Sequence, residues 1–149
     1  MRYQLELEID VPREHVVELF LDPENLTKWQ PSLVSFESIK GNDAREVGAQ
    51  SRQVHKMGAR EVEMIETITA HDYPHTFSAT YEGGGVFNAI ENSFSEIGAQ
   101  KTKWVLSSEC RSSKWIVKLM LFFLPGLFRK QCLAFMTQFK EFAEKARGS

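Results

Sequence analysis

A carboxylate interrupts an otherwise apolar side of one extended segment. Residues 62–68 place Glu66 on the same side as Val62, Met64 and Ile68, because successive side chains of a strand point to opposite faces. Burial of that side would raise the pKa of the Glu66 carboxyl. Such a group can act as a general acid or base, or hold a ligand hydroxyl. Two alternatives remain open: a bulge turns Glu66 to solvent, or an arginine pairs with it.

Two amide side chains interrupt an otherwise apolar side of a second extended segment. In residues 86–94, Asn88 and Asn92 share one side with Val86, Ile90 and Phe94. Each amide offers both hydrogen-bond donors and acceptors. The pattern indicates polar ligand contacts, or else a solvated or edge position. A matching side is expected in the last strand, formed by Trp104, Leu106, Ser108 and Cys110.

Motifs for other chemistry are absent from the sequence. It contains no nucleophile elbow, phosphate-binding loop or HExxH pair. His71 and His75 flank Tyr73-Pro74 and are predicted turn residues, and Cys110 and Cys132 lack ligand spacing, which favours reduced thiols. The sequence does not decide which side of residues 51–56 faces inward, so the role of His55 stays open. We predict no metal and no cofactor.

Length and charge favour one domain that does not bind nucleic acid. The 149 residues suit a single domain, predicted over 1–146 with a polar tail at 147–149. The formal net charge is −2 and no basic tract occurs, whereas nucleic-acid binders need a basic face. Glu6, Glu8 and Asp10 interrupt the N-terminus where a signal peptide would be apolar. We therefore predict a cytoplasmic protein.

Hydrophobic periodicity gives the order of elements. Residues 3–9 alternate as a strand, two short helices follow to about Trp29, and six strands occupy about 33–111. A helical pattern covers about 113–145, with a break expected at Pro125-Gly126. Its second half carries an apolar stripe of Phe128, Cys132, Phe135, Phe139 and Phe142. This order predicts an α+β fold in which the sheet packs on helices.

The most apolar run is residues 115–128, WIVKLMLFFLPGLF. Its 14 residues are too few to span a bilayer, which takes about 20. One side is expected to face the sheet (Ile116, Leu119, Met120, Phe123, Leu127), and the other has no evident partner (Val117, Leu121, Leu124). A covered core helix, a cavity entrance, a dimer contact and a reversible membrane contact all remain open. Basic residues flank the run: Lys114, Lys118, Arg129 and Lys130.

Several motifs occur in an order typical of one superfamily. They are Ile9-Asp10-Val11-Pro12 leading into Val16, Leu19 and Phe20, then Asp22-Pro23-Glu24-Asn25-Leu26 with Trp29 and Pro31, Gly48 opening the third strand, and the long last helix. Together they resemble the SRPBCC or START-like helix-grip superfamily, which includes polyketide cyclase/dehydrase-like and lipid-transfer proteins. The resemblance implies a curved seven-stranded antiparallel sheet around a long C-terminal helix, with a cavity between them. It carries over no catalytic residue.

The resulting hypothesis is a protein that binds or transports a hydrophobic small molecule or lipid. The predicted ligand-binding residues are Trp29, Met64, Glu66, Phe77, Tyr81, Asn88, Ile90, Asn92, Trp104, Met120, Phe123, Leu124 and Phe128. One alternative is a polyketide cyclase/dehydratase-like enzyme in which Glu66 or a histidine moves a proton. Another is an interaction module, or a homodimer, that uses residues 115–128. No transmembrane segment is expected, and peripheral membrane contact remains open.

Overall fold

The computed structural model describes residues 1–41 and 45–147. Its strands are β1 (Arg2–Ile9), β2 (Leu33–Lys40), β3 (Gln50–Met57), β4 (Arg60–Asp72), β5 (Thr76–Gly83), β6 (Val86–Gly98) and β7 (Lys101–Ser112). Its helices are α1 (Arg13–Leu21), a 3-10 helix (Pro23–Asn25), α2 (Leu26–Trp29), α3 (Trp115–Phe123) and α4 (Pro125–Arg147). The helix α4 therefore runs one residue into the predicted tail, and the remainder of that tail lies outside the described residues.

All seven strands form one antiparallel sheet in the order β1-β7-β6-β5-β4-β3-β2. One face of this sheet, called the inner face below, packs on α1, α2 and α4. Met136, Phe139 and Ala143 of α4 are fully buried in this core. The predicted α+β helix-grip fold, with seven strands and a long C-terminal helix, is confirmed.

Two residues set the boundaries of the short helices. Pro12 directly precedes the first residue of α1, where its fixed φ suits a helix start. Asp22 ends α1 and caps the next turn, because its carboxylate Oδ1 accepts a hydrogen bond from the Glu24 N–H at 3.0 Å. These short helices carry Phe20 and Trp29 into the core.

Aromatic rings fill one end of the inner face. The ring of Phe20 lies within 6.1 Å, centroid to centroid, of five other rings: Trp29, Phe77, Phe94, Trp104 and Phe139. Such offset and edge-to-face contacts add to the stabilisation from area burial. We call these six rings the aromatic end. It joins both short helices, the sheet and α4 in one core.

The C-terminal helical region breaks where the proline predicts. Helix α3 ends at Phe123 and α4 begins at Pro125, with 83° between them. The predicted stripe of α4 is confirmed for four of its five residues, since Phe139 is buried and Cys132, Phe135 and Phe142 pack against the core, while Phe128 near the start of the helix is partly exposed. No single helix in the described ranges is long and apolar enough to cross a membrane; α3 and α4 pass that test only as a bent pair.

The prediction of which side of α3 faces the sheet is wrong. Leu121 is its buried residue, at 9% exposure. The expected inward residues are instead exposed: Ile116, Leu119, Met120, Phe123 and Leu127. Helix α3 contacts β7 and α4, and a helix that is apolar nearly all round has no strong periodic signal to indicate which side is buried.

Candidate ligand-binding site

Four polar side chains lie side by side across the inner face of the sheet. The strand register pairs Ser51 of β3 with Glu66 of β4, Glu66 with Tyr81 of β5, and Tyr81 with Asn88 of β6. Directly opposed residues of antiparallel strands point to the same face. We call Ser51, Glu66, Tyr81 and Asn88 the polar row. Its members are buried or partly buried.

Glu66 takes part in three hydrogen bonds within this row and beside it. Burial raises the pKa of the Glu66 carboxyl, while hydrogen bonds from Tyr81, Gln53 and Ser51 oppose the rise. The Ser51 hydroxyl donates to Glu66 Oε1 at 3.4 Å. The β4 bulge falls between Ile68 and Ala70, beyond Glu66, so it does not turn the carboxyl outward. Within the described residues Glu66 forms no salt bridge with an arginine.

Tyr81 is the natural proton donor to this carboxyl. Burial and the neighbouring Glu66 carboxyl raise the pKa of the Tyr81 hydroxyl well above its ordinary value. The Tyr81 hydroxyl therefore stays protonated at neutral pH and donates a hydrogen bond to Glu66. A carboxyl with a raised pKa beside a phenol donor can give a hydrogen bond to a ligand oxygen or accept one from a ligand hydroxyl.

A chain of hydrogen bonds continues from the polar row along β3. Gln53 Nε2 donates to Ser51 Oγ at 3.3 Å, and Gln53 Oε1 lies 3.2 Å from His55 Nε2. The amide oxygen only accepts, so His55 Nε2 carries the hydrogen, and Nδ1 accepts from the Ser32 hydroxyl at 3.1 Å. Burial lowers the pKa of His55, which favours this neutral ring.

The side of β3 that the sequence left undecided is thereby settled. Ser51 and Gln53 are buried on the inner face and His55 is partly buried there. Arg52 lies on the outer face, where it pairs with Glu37 and Glu63 at 3.3 and 3.0 Å. Apolar alternation is absent from this strand, so the usual signal fails. The usable signal is that the inward residues are neutral and the outward ones include two cations.

A second group of polar contacts extends from the other end of the row. Ser108 Oγ donates to Asn88 Oδ1 at 2.8 Å. Tyr3, which is paired with Ser108 across the β1–β7 ladder, hydrogen bonds with Ser108 and with the Cys132 thiol of α4. Burial is the main cause that raises the pKa of Tyr3 to about 12. Polar groups therefore cross the inner face from β3 to α4.

Two predicted apolar site residues flank the polar row. Met64 lies two positions before Glu66 on the same strand face, and Ile90 lies two positions after Asn88. Both are partly exposed. They give the row apolar neighbours, which is the composition expected of a small-molecule site.

Four other predicted site residues lie in the core. Trp29, Phe77 and Trp104 belong to the aromatic end and are at most 7% exposed. Asn92 has both ends of its amide occupied there: Oδ1 accepts from Trp104 Nε1 at 2.9 Å, and Nδ2 donates to the Phe77 carbonyl at 3.3 Å. The structure therefore places these four where they stabilise the fold, away from the polar row.

The remaining predicted residues lie on the C-terminal helices. Phe123 and Leu124 are 69% and 51% exposed, at the end of α3 and just after it. Met120 is also exposed, and Phe128 in the first turns of α4 is partly exposed. The structure does not bring these side chains into the core.

Two histidines and the two cysteines lie outside the polar row. His71, predicted in a turn, is instead in β4, where its ring packs on Phe77 and its Nδ1 donates to the Arg45 carbonyl at 2.9 Å. His75 is in the β4–β5 turn as predicted. Cys110 and Cys132 are free thiols, and burial raises the pKa of each. Among residues 1–41 and 45–147, no cluster of three metal-ligating side chains occurs.

The fold is of the START-like helix-grip class, and solved structures share this architecture. A protein from Thermus thermophilus is 20% identical, with full coverage of both chains and a TM-score of 0.79. A START superfamily protein from Mycobacterium smegmatis is 13% identical over 97% of this chain and 98% of that one, with a TM-score of 0.79. Zhui aromatase/cyclase from Streptomyces sp. R1128 is 12% identical over 97% and 94%, with a TM-score of 0.77.

A family model also covers nearly the whole sequence. Residues 2–144 match the model described as polyketide cyclase / dehydrase and lipid transport. The chain belongs to this family, and the superfamily resemblance drawn from its motifs is confirmed. No curated protein matches the sequence. Family and fold together support either a protein that binds a hydrophobic ligand or a cyclase-like one.

Proposed function

We propose that the protein binds an apolar small molecule or lipid between the inner face of its sheet and α4. The polar row would hold one polar group of the ligand, and Met64 and Ile90 would contact its apolar part. Burial of ligand surface contributes about 25 cal/mol per Å², and a few fixed polar groups set orientation. Family membership supports the ligand class.

The polar row is the observation that carries this proposal. A sheet that serves only to bury a core gains nothing from placing a carboxyl, a phenol, an amide and a hydroxyl in register across four strands. Burial of polar groups costs free energy unless they are hydrogen bonded. Glu66 and Tyr81 satisfy each other in part, and both retain capacity for a ligand oxygen.

Native mass spectrometry of the protein purified from cells tests the proposal, followed by denaturing extraction. An additional mass of defined stoichiometry that extracts as an apolar compound is expected. The matched variant is Met64→Arg, which puts a charge beside the row and should abolish co-purification. Retention of the same mass by this variant would place the ligand elsewhere.

Acid–base catalysis of the cyclase/dehydratase kind is the second candidate, favoured by the raised pKa of Glu66 next to a phenol donor. In it Glu66 exchanges a proton with a bound polyketide-like substrate. Glu66→Gln discriminates between the candidates, since it should keep ligand binding and lose turnover. Glu63→Gln, on the outer face of the same strand, is the control. Full turnover by Glu66→Gln would remove Glu66 from this role.

We further propose a cytoplasmic location and a single domain over residues 1–146. The two free thiols support the location. The family match over residues 2–144 supports the domain limits. A contact role for residues 115–128, with a partner chain or a membrane, is the third use of the molecule that its sequence favours.

A further inference from the structure

Helix α3 presents large apolar side chains to solvent. Phe122, Trp115 and Phe123 are 77%, 70% and 69% exposed. We call these three, together with Ile116, Leu119 and Leu124, the apolar patch; the last three are also exposed. Isolated exposed apolar residues are ordinary, but a contiguous group of this size usually marks a contact surface.

The charge around the patch has one sign. No acidic residue occurs between Glu109 and Glu141, whereas six basic residues do, in a chain whose formal net charge is −2. The four nearest the patch are Lys114, Lys118, Arg129 and Lys130. In the described part of the chain none of these four forms an ion pair. Because the whole chain has a net charge of −2, the residues outside 110–140 carry a strongly negative net charge, whereas residues 110–140 carry a positive one.

We propose that the apolar patch docks on an anionic lipid bilayer, with α3 lying in the interface. Aromatic and aliphatic side chains enter the boundary between headgroups and acyl chains, and the flanking cations contact lipid phosphates. The 83° bend between α3 and α4 lets α3 lie along a surface while α4 stays in the core. This surface is independent of the polar row, so the inference stands whether or not the protein carries a ligand.

A second copy of the chain fits this surface less well. A two-fold symmetric dimer places the same patch on both partners. Such a dimer would bring the unpaired cations around α3 close to those of the other copy, and like charges repel each other. An anionic lipid surface satisfies both the apolar and the basic character of the segment.

Tryptophan fluorescence reports this contact directly. Trp29 and Trp104 are 3% and 0% exposed, so Trp115 is the exposed tryptophan of the three. Entry into a bilayer should shift the Trp115 emission to the blue and leave the other two unchanged. Trp115→Phe should remove the shift and preserve binding.

The experiment measures vesicle co-sedimentation and emission of the full chain. The vesicles contain phosphatidylglycerol mixed with phosphatidylcholine, or phosphatidylcholine alone. The double variant Phe122→Gln/Phe123→Gln removes two rings of the patch, with Val34→Gln as the exposed apolar control on β2. Lys118→Gln/Lys130→Gln removes charge, with Lys56→Gln/Arg60→Gln as its control on the sheet.

Binding to anionic vesicles, with a blue shift that high salt weakens, is expected. The two ring substitutions should lower partitioning about tenfold or more, and the two charge substitutions should lower it by a smaller factor. Both controls should bind like the wild type. Absence of binding to anionic vesicles, or equal binding by the Phe122→Gln/Phe123→Gln variant, would overturn the proposal. A wild-type dimer that this variant converts to monomer would overturn it in favour of a second copy.

Discussion

The two ends of the inner face are built from the same strands and differ in chemistry. At the aromatic end, Phe77, Phe94 and Trp104 are buried against Phe20 and α4. At the polar row, a few residues along, Glu66 and Tyr81 are only partly buried and hydrogen bond to each other. The same register therefore supports a packed core at one end and a set of polar groups at the other.

From this difference we propose that the aromatic end provides stability and the polar row provides ligand recognition. Polar atoms of the aromatic end are occupied within the fold, as in the hydrogen bond between Trp104 Nε1 and Asn92. One exception is Trp29 Nε1, which is buried with no partner in the described structure. We propose that the groups of the polar row use their remaining hydrogen-bonding capacity for a ligand. We expect substitutions at the aromatic end to unfold the protein, and substitutions at the row to change what it binds.

The largest expected effect is at Trp104. Trp104→Ala removes a fully buried ring of the aromatic end and should lower the free energy of unfolding by about 3–5 kcal/mol. Urea denaturation measures it. Trp115→Ala is the matched control, because that ring is exposed and should cost less than about 0.5 kcal/mol. Similar losses in the two variants would contradict the assignment of the core.

The same substitution at Asn92 and at Asn88 compares the stability contributed by the two ends of the inner face. Asn92→Leu leaves the buried Trp104 Nε1–H without an acceptor, so we expect a loss of about 1–3 kcal/mol in the free energy of unfolding. Asn88→Leu should cost less, since that side chain is partly exposed. Thermal and urea unfolding of both variants provide the measurement. A larger loss for Asn88→Leu would reverse the proposed roles of the two ends.

The smallest expected effect is a pH dependence at Glu66. Because burial raises the pKa of this carboxyl in the folded state, the folded protein binds its proton more tightly than the unfolded chain does. The stability that this proton provides is complete below the unfolded pKa and is lost as pH rises through the folded value. Glu66→Gln should therefore gain stability over the wild type as pH rises from about 4.5.

Unfolding midpoints measured across that pH range provide the test. Glu63→Gln, on the outer face, should show no such rising gain. A constant difference between the wild type and Glu66→Gln would mean that the carboxyl titrates normally and is not held in the polar row.

The sequence predicts which side chains of β4, β6 and β7 point to the inner face. It does not predict which of those side chains lie in the densely packed core and which lie in the polar row. Alternation places Glu66, Asn88 and Asn92 on the inner face correctly. It does not distinguish Asn92, which lies in the core, from Asn88, because both occupy equivalent positions of one pattern. Phe20 decides where the core is densest, and its contacts are long-range ones that periodicity does not report.

The C-terminal helices differ in predictability for a related reason. Helix α4 has polar residues opposite its stripe, so its buried side follows from spacing. Helix α3 is apolar on almost every side, and tertiary contacts alone select Leu121 for burial. Strand β3 is the opposite case, where nearly every residue is polar and the register with Glu66 decides the inner face.

The most direct test of the central claim compares the methyl NMR signals of two methionines. Met64 lies beside the polar row and Met136 is fully buried in the core. The probe is 2-naphthol, an apolar bicyclic ring with one hydroxyl, which we propose Glu66 and Tyr81 would bind. We predict that titration moves the Met64 methyl resonance saturably and leaves Met136 in place. Movement of Met136 with Met64 unchanged would contradict a ligand site at the polar row.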